Sequence, residues 1–199
     1  MTLKQKLLAA LTMLGIVLGA LIAGFSWSAT ASRAALHTVL ADRVIPLKDL
    51  KLVADNYAVR ITDAAHKARN GNISFARAAA DIGKGKADVD AAWKRYAATD
   101  ATAEEEALAS EAEGVIARAD GGVVRLEGIL RAGDRAALDR FVTNELYADV
   151  DPVSEKVGKL VDMQISVAGD VTTRALGLAN VATTVVILLG LVALAVLGG

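Results

Sequence analysis

LLAALTMLGIVLGALIAGFSW, from Leu7 to Trp27, contains no charged side chain, and neither does GLANVATTVVILLGLVALAVL, from Gly177 to Leu197, near the other end of the chain. Each stretch is about 21 residues long, or about 30 Å as a helix at ~1.5 Å per residue, which matches the hydrocarbon core of a bilayer. Both are long enough to span. Two spans return the chain to the membrane face it left, so residues 28–176 form one domain between them with an even number of helices.

That middle part mixes Ala, Val and Leu with charged residues, and has few aromatics and only two prolines, Pro46 and Pro152. This is the composition of long helices. A net charge of -1 offers no field of one sign, which argues against nucleic-acid binding. Cysteine is absent, which excludes a disulfide framework, a thiolate zinc site and a cysteine nucleophile. Lys4 and Lys6 precede the first apolar run. The positive-inside rule therefore places residues 1–6 in the cytoplasm, the middle domain outside, and residues 198–199 at the start of a cytoplasmic part. A cleaved signal peptide is the competing reading, because Ala29-Thr30-Ala31 resembles a small-residue cleavage site. Against it stands the length of the apolar run, which exceeds that of a usual signal core.

Four helices are expected between the spans, in an antiparallel up-down-up-down bundle, so the fold class is all-α. The first carries Leu36, Leu40, Leu47, Leu50, Ala54, Tyr57, Ile61, Ala64 and Ala68, mostly at alternating three- and four-residue steps, and stops at Arg69-Asn70-Gly71-Asn72. The second repeats Phe75, Ile82, Val89 and Tyr96 at sevens. Thr102 and Glu105 then stand as a capping box ahead of the third, whose seam is Leu108, Ala112, Val115, Ala119, Gly122, Leu126 and Ile129. Ala132-Gly133-Asp134 ends it, and Asp134 is a good N-cap for the fourth. That last helix carries Leu146, Val150, Val153, Val157, Leu160, Gln164, Val167 and Val171 straight into the second span. From Trp27 to Arg69 and from Asp134 to Leu176 the outer helices run about 42 residues, or ~63 Å each, whereas the inner two reach only about 25 and 29 residues. The membrane-proximal third is then mainly two helices with open seams, and a second copy of the chain is the expected cover, making a homodimer.

The sequence resembles the four-helix-bundle sensor region of bacterial methyl-accepting chemotaxis receptors. The resemblance rests on the order of span, bundle and span and on NYAVRITDAAHKARNGNIS, from Asn56 to Ser74. Val44-Ile45-Pro46-Leu47 and Trp93-Lys94-Arg95-Tyr96 add to it. It implies a dimeric periplasmic receptor in the bacterial inner membrane, in which ligand binding shifts the fourth helix and its span. Such receptors continue into an adaptor domain and a cytoplasmic coiled coil that controls a histidine kinase. Here the chain stops at Gly198-Gly199, just past the second span, and so reads as a fragment.

In aspartate-sensing members of that group, arginines at the distal dimer interface clamp a carboxylate. Arg60 and Arg69 lie in the corresponding part of the first helix, about 13 Å apart along its axis, so two chains contributing one each is a workable arrangement. The tight arginine triplet of those members is not reproduced, and aspartate specificity does not carry over. The plainer alternative leaves both arginines solvated or paired with Asp63. His66 is a candidate ligand contact or pH-sensitive group, set against a solvated histidine at a helix C-terminus. Arg140 and Asn144, with Arg135, are candidates to complete a pocket from the fourth helix, set against plain surface placement. His37 lies about 44 Å from His66 on a straight helix, which excludes a metal site shared by the two within one chain. No metal and no cofactor are expected.

Pro46 and Pro152 are expected inside helices, as mobile points or fixed kinks. Gln164 and Arg43 are polar seam residues of the kind that fix register. Glu104, Glu105 and Glu106 read as first-turn acids favoured by the helix dipole. The expected function is detection of a small polar ligand outside the cell, a carboxylate among the options, with a displacement passed through the second span. The alternatives are the same sensor attached to a histidine kinase or a cyclic-nucleotide enzyme, and an accessory membrane protein that holds a protein partner. With no nucleophile motif, phosphate loop or metal-ligand cluster, an enzyme is not expected.

Overall fold

A computed structural model describes residues 2–39 and 44–198. The described residues contain helices and no strand: α1 Leu3–Val39, α2 Ile45–Asp55, a π-helical turn Asn56–Ile61, α3 Thr62–Arg69, α4 Phe75–Tyr96, α5 Ala103–Ala132, α6 Arg135–Asn144 and α7 Leu146–Gly198. The fold is an all-α bundle, bordered in the sequence by two helices long and apolar enough to cross a membrane. Leu40 and Arg43 lie outside the described residues, as do the side chain of Leu36 and Gly199.

Two compact units divide the chain. The first comprises Met1–Leu40 and Ala168–Gly199, the second Ala41–Val167. In the second, the four legs are α2 to α3, α4, α5, and α6 to α7. Leu50, Tyr57, Ile61, Ile82, Leu126, Leu138 and Leu160 are fully buried there. At ~1.5–3 kcal/mol for each large apolar side chain taken from water, this seam is the main stabilising term. The second leg contributes more than its sevens predict. Ala78, Gly85 and Ala92 are buried between Ile82, Val89 and Tyr96, which completes the 4,3,4,3 alternation with small residues.

The expected breaks appear with their expected chemistry. Gly71 takes φ 79° and Gly133 φ 70°, the left-handed geometry that ends a helix. Thr102 accepts from the Glu105 amide at 3.2 Å, and Asp134 from the Ala137 amide at 2.9 Å.

Pro46 is the second residue of α2, which follows a Val44 that is itself in helical geometry, and Pro152 is inside α7 as expected. Two local readings are corrected. Val53, not Ala54, is the fully buried residue of the first leg, so the seam steps Leu50, Val53, Tyr57, Ile61. Two four-residue steps in succession carry one residue more than a regular seam allows, and the π-helical turn absorbs it. The fourth leg is not one helix: it breaks at Glu145, whose amide still reaches Phe141 O at 2.9 Å. The same arithmetic applies there. The buried positions run Leu138, Val142, Leu146, Val150, and the break supplies the residue that keeps Glu145 and Asp149 out of the core.

In the other unit, Leu11, Ile16, Ile22 and Phe25 of α1 and Leu188 and Leu191 of α7 are exposed, as lipid-facing side chains are. Thr12 donates to Leu8 O at 2.8 Å, and Thr183 and Thr184 donate to Ala179 O and Asn180 O at 2.9 Å. These hydroxyls are thus satisfied within their own helices, the arrangement that hydrocarbon demands.

Candidate functional site

The π-helical turn determines which side chains reach the surface of the first leg. A regular 3,4 seam continued from Val53 and Tyr57 would put Arg60 and Lys67 at seam positions. With the extra residue, Ile61, Ala64, Ala65 and Ala68 occupy the core instead. Arg60 and Lys67 then line, with Asp63, a surface groove of about 600 Å³, together with Ile73 and with Arg77, Asp81 and Lys84 of α4.

Four cations face two acids in this lining. Arg60 bonds Asp88 at 2.5 Å, Lys67 pairs with Asp63 at 2.6 Å, and Arg77 pairs with Asp81 at 2.9 Å. Lys84 has no acidic partner among the described residues. Three of the four cations are thus paired, and Lys84 leaves the solvent-open groove with a small cationic excess. Its α4 half had a sequence signal, because Arg77 and Lys84 stand seven apart, as Arg60 and Lys67 do, and so share a helix face.

The other candidate residues go elsewhere. His66 is half-buried, with its Nε2 3.0 Å from the hydroxyl of Tyr147, and links the first leg to the fourth. Arg69 donates to Asn70 Oδ1 at 3.4 Å, and its carbonyl accepts from Arg135 at 3.4 Å. Arg135 also lies over the Phe75 ring, 5.9 Å from its centre. Arg140 and Asn144 are exposed on α6. One chain thus places Arg60 in the groove and leaves His66, Arg69, Arg140 and Asn144 outside it. Asp63 is taken by Lys67, not by either arginine.

Two polar clusters between helices were not foreseen as clusters, although Gln164 was expected at a seam position. Tyr57 OH donates to Asp120 at 2.5 Å, and Lys86 holds the other oxygen of that carboxylate at 3.1 Å. Burial first, and then the neighbouring carboxylate, push the Tyr57 hydroxyl well above its ordinary range. Farther along the bundle, Glu105 and Gln164 are fully buried, and Glu105 Oε1 accepts from both Gln164 and the Tyr96 hydroxyl. Glu105 is therefore a core residue rather than a simple first-turn acid. Among the described residues no group of three or more His, Asp or Glu is arranged to hold a metal ion.

A bundle with a charged groove on its surface and one helix leading on into an apolar span is the plan of a transmembrane sensor. Comparison with known families agrees: residues 1–168 match the Tar ligand binding domain homologue family, and the chain belongs to it. The Methyl-accepting chemotaxis protein NahY of Pseudomonas putida is 42% identical over 132 residues, 66% of this chain and 24% of that protein. The chain thus spans about a quarter of that relative's length. No solved structure matches. The chain is a chemotaxis receptor sensor region, a class that detects small molecules and is not an enzyme class.

Proposed function

We propose that the bundle binds a small polar anion, a carboxylate among the candidates, outside the cell, and that two copies of the chain work as a homodimer in the inner membrane with both ends of the chain cytoplasmic. Arg60 is the leading contact, with Lys67, Arg77 and Lys84 supplying the rest of the field. His66, Arg69, Arg140 and Asn144 remain candidates for the distal tip and for contributions across the dimer. The observation that carries this reading is the excess of cations in a groove next to the π-helical turn, within a family named for ligand binding. Charge-assisted hydrogen bonds contribute about 1.5–3 kcal/mol each and micromolar affinity needs about 8, so several of the groove cations must act together. Transmission follows a shift of α7 by about 1–2 Å, the scale of helix motions in signalling proteins.

The test is a thermal-shift screen of the detergent-solubilised chain against small organic acids, amines and neutral sugars. A ligand at a hundred times its Kd stabilises by about 2.7 kcal/mol. An acid is expected to raise the melting temperature, and Arg60→Ala or Lys84→Ala to reduce the effect at least ten-fold in concentration. A response to amines alone, or one indifferent to both substitutions, removes the reading.

A further inference from the structure

The span pair carries a second feature that ligand sensing does not use. At one end of the apolar segments a cavity of about 220 Å³ opens between α1 and α7, lined by residues that include Trp27, Ala31, Ser32, Arg174, Leu178 and Ala179. A second cavity of about 200 Å³ continues along the same pair of helices, past Gly24 and Phe25 to Leu21 on one side and past Ala182 to Val186 on the other. Ser28 lines both. From Ser32 to Leu21, and from Arg174 to Val186, the furrow runs about 16–18 Å along the helices, close to one leaflet of hydrocarbon.

Its chemistry is graded along that length. Arg174 and Ser32 stand at the polar mouth, and Arg174 has no acidic partner among the described residues. Trp27 follows, largely exposed, the kind of ring that settles at a membrane interface. Beyond it the walls are Leu, Phe, Ala and Val side chains with threonine and serine. A cation at the top, an amphipathic ring below it and an apolar trough one leaflet deep complement a molecule with an anionic head and a long hydrocarbon tail.

We infer that this furrow seats one acyl chain of an anionic phospholipid whose headgroup rests on Arg174. The lipid would fill the space between the two spans at the end where α7 enters the membrane, so the lipid composition of that leaflet would enter the packing of the signalling helix. The inference rests on the membrane-spanning reading of the two helices and not on the identity of the ligand.

The experiment uses the full chain carrying Trp93→Phe, which leaves Trp27 as its single tryptophan, in phosphatidylcholine nanodiscs. Brominated phosphatidylglycerol or brominated phosphatidylcholine is added at equal mole fraction, and quenching of Trp27 reports which lipid lies beside it. The anionic lipid is expected to quench as if bound about five-fold more tightly, which is what one cation near a charged lipid surface contributes. Arg174→Gln is expected to abolish the preference, and Arg33→Gln, the same charge change on α1 off the furrow lining, to leave it intact. Native mass spectrometry should show a retained anionic lipid on the parent chain and none on Arg174→Gln. Equal quenching by the two lipids overturns the inference, as does an equal effect of Arg33→Gln, which would mean surface charge alone. Efficient Ala31→Cys crosslinking to a second chain, with Trp27 quenched by neither lipid, overturns it in favour of a covered dimer face.

Discussion

At Gly122 the backbone of α5 comes so close to α7 that a Cβ would fall on the Asp149 carboxylate, with Asp149 Cβ at 3.2 Å. Asp149 is held in turn by Arg125 at 2.9 Å. Gly122→Ala must push this side chain aside and loosen the ion pair, so it is expected to destabilise by about 1–3 kcal/mol, against an intrinsic helix gain of about 1. Gly114, on the same helix with open space around it, is the control: Gly114→Ala should stabilise by about 0.5–1 kcal/mol in the same urea titration. Tyr57 gives a pH signature. Its hydroxyl ionises near pH 10 in an unfolded chain and higher in the folded one, so its contribution is whole below about pH 10 and is lost as pH rises above that. The stability gap between the parent chain and Tyr57→Phe should narrow by up to ~1.4 kcal/mol per pH unit between about pH 10 and 11. A gap that stays constant would show the hydroxyl ionising as freely in the fold as out of it. Glu105 marks the limit of legibility at this scale. Three residues after Thr102 it satisfies a capping box whether or not its side chain is buried, and the partners that bury it, Tyr96 and Gln164, lie on other helices. Local spacing holds no trace of them.

The elements were legible wherever a rule of local chemistry fixed them. Gly71, Thr102, Gly133 and Asp134 each announce a helix end by residue type, and each end is where it was expected. The two added residues, in the π-helical turn and at Glu145, were not legible, because a heptad reading accepts Ala54 in place of Val53 and reads on without a fault. Small side chains hide phase in the same way. Ala78, Gly85 and Ala92 complete the α4 seam, yet in a chain rich in alanine they carry little contrast. The cationic groove was half legible, since Arg60 was found by resemblance and Arg77 and Lys84 share a face of α4 by their spacing, but only the fold brings that face beside Arg60 and Lys67. A deletion tests this account. Removing exposed Ala58 lets residues 56–61 close as a regular α-helix and keeps Ile61, Ala65 and Ala68 on the core face. The deletion variant should keep its helicity and a cooperative melt. Removing exposed Ala107 from α5 has no added residue to absorb it, and turns Ala112, Val115 and Ala119 by about 100° out of the core. That variant should lose the cooperative transition. Equal damage by the two deletions would mean that the π-helical turn is required for folding itself.

At the scale of the whole molecule, α7 is the element that belongs to both units: it runs from Leu146 to Gly198 as one helix, with core residues Val150, Val153, Val157 and Leu160 near its start and the apolar span at its end. A helix without a break transmits rotation as well as translation, because each residue adds ~1.5 Å and about 100°. Alanines inserted after Val167 separate the two contributions. One alanine turns everything beyond it by about 100° and two by about 200°, whereas four bring it back to within about 40° of the starting phase while lengthening the helix by ~6 Å. The readout is the unstimulated kinase activity of a chimaera in which a chemoreceptor cytoplasmic part follows Gly199. If α7 acts as a rigid connector, the four-residue insertion should lie closer to the parent activity than the one- or two-residue insertions do. An activity that drifts steadily with the number of alanines would point to axial position alone, and an activity indifferent to all three would mean that the bundle does not communicate through this helix.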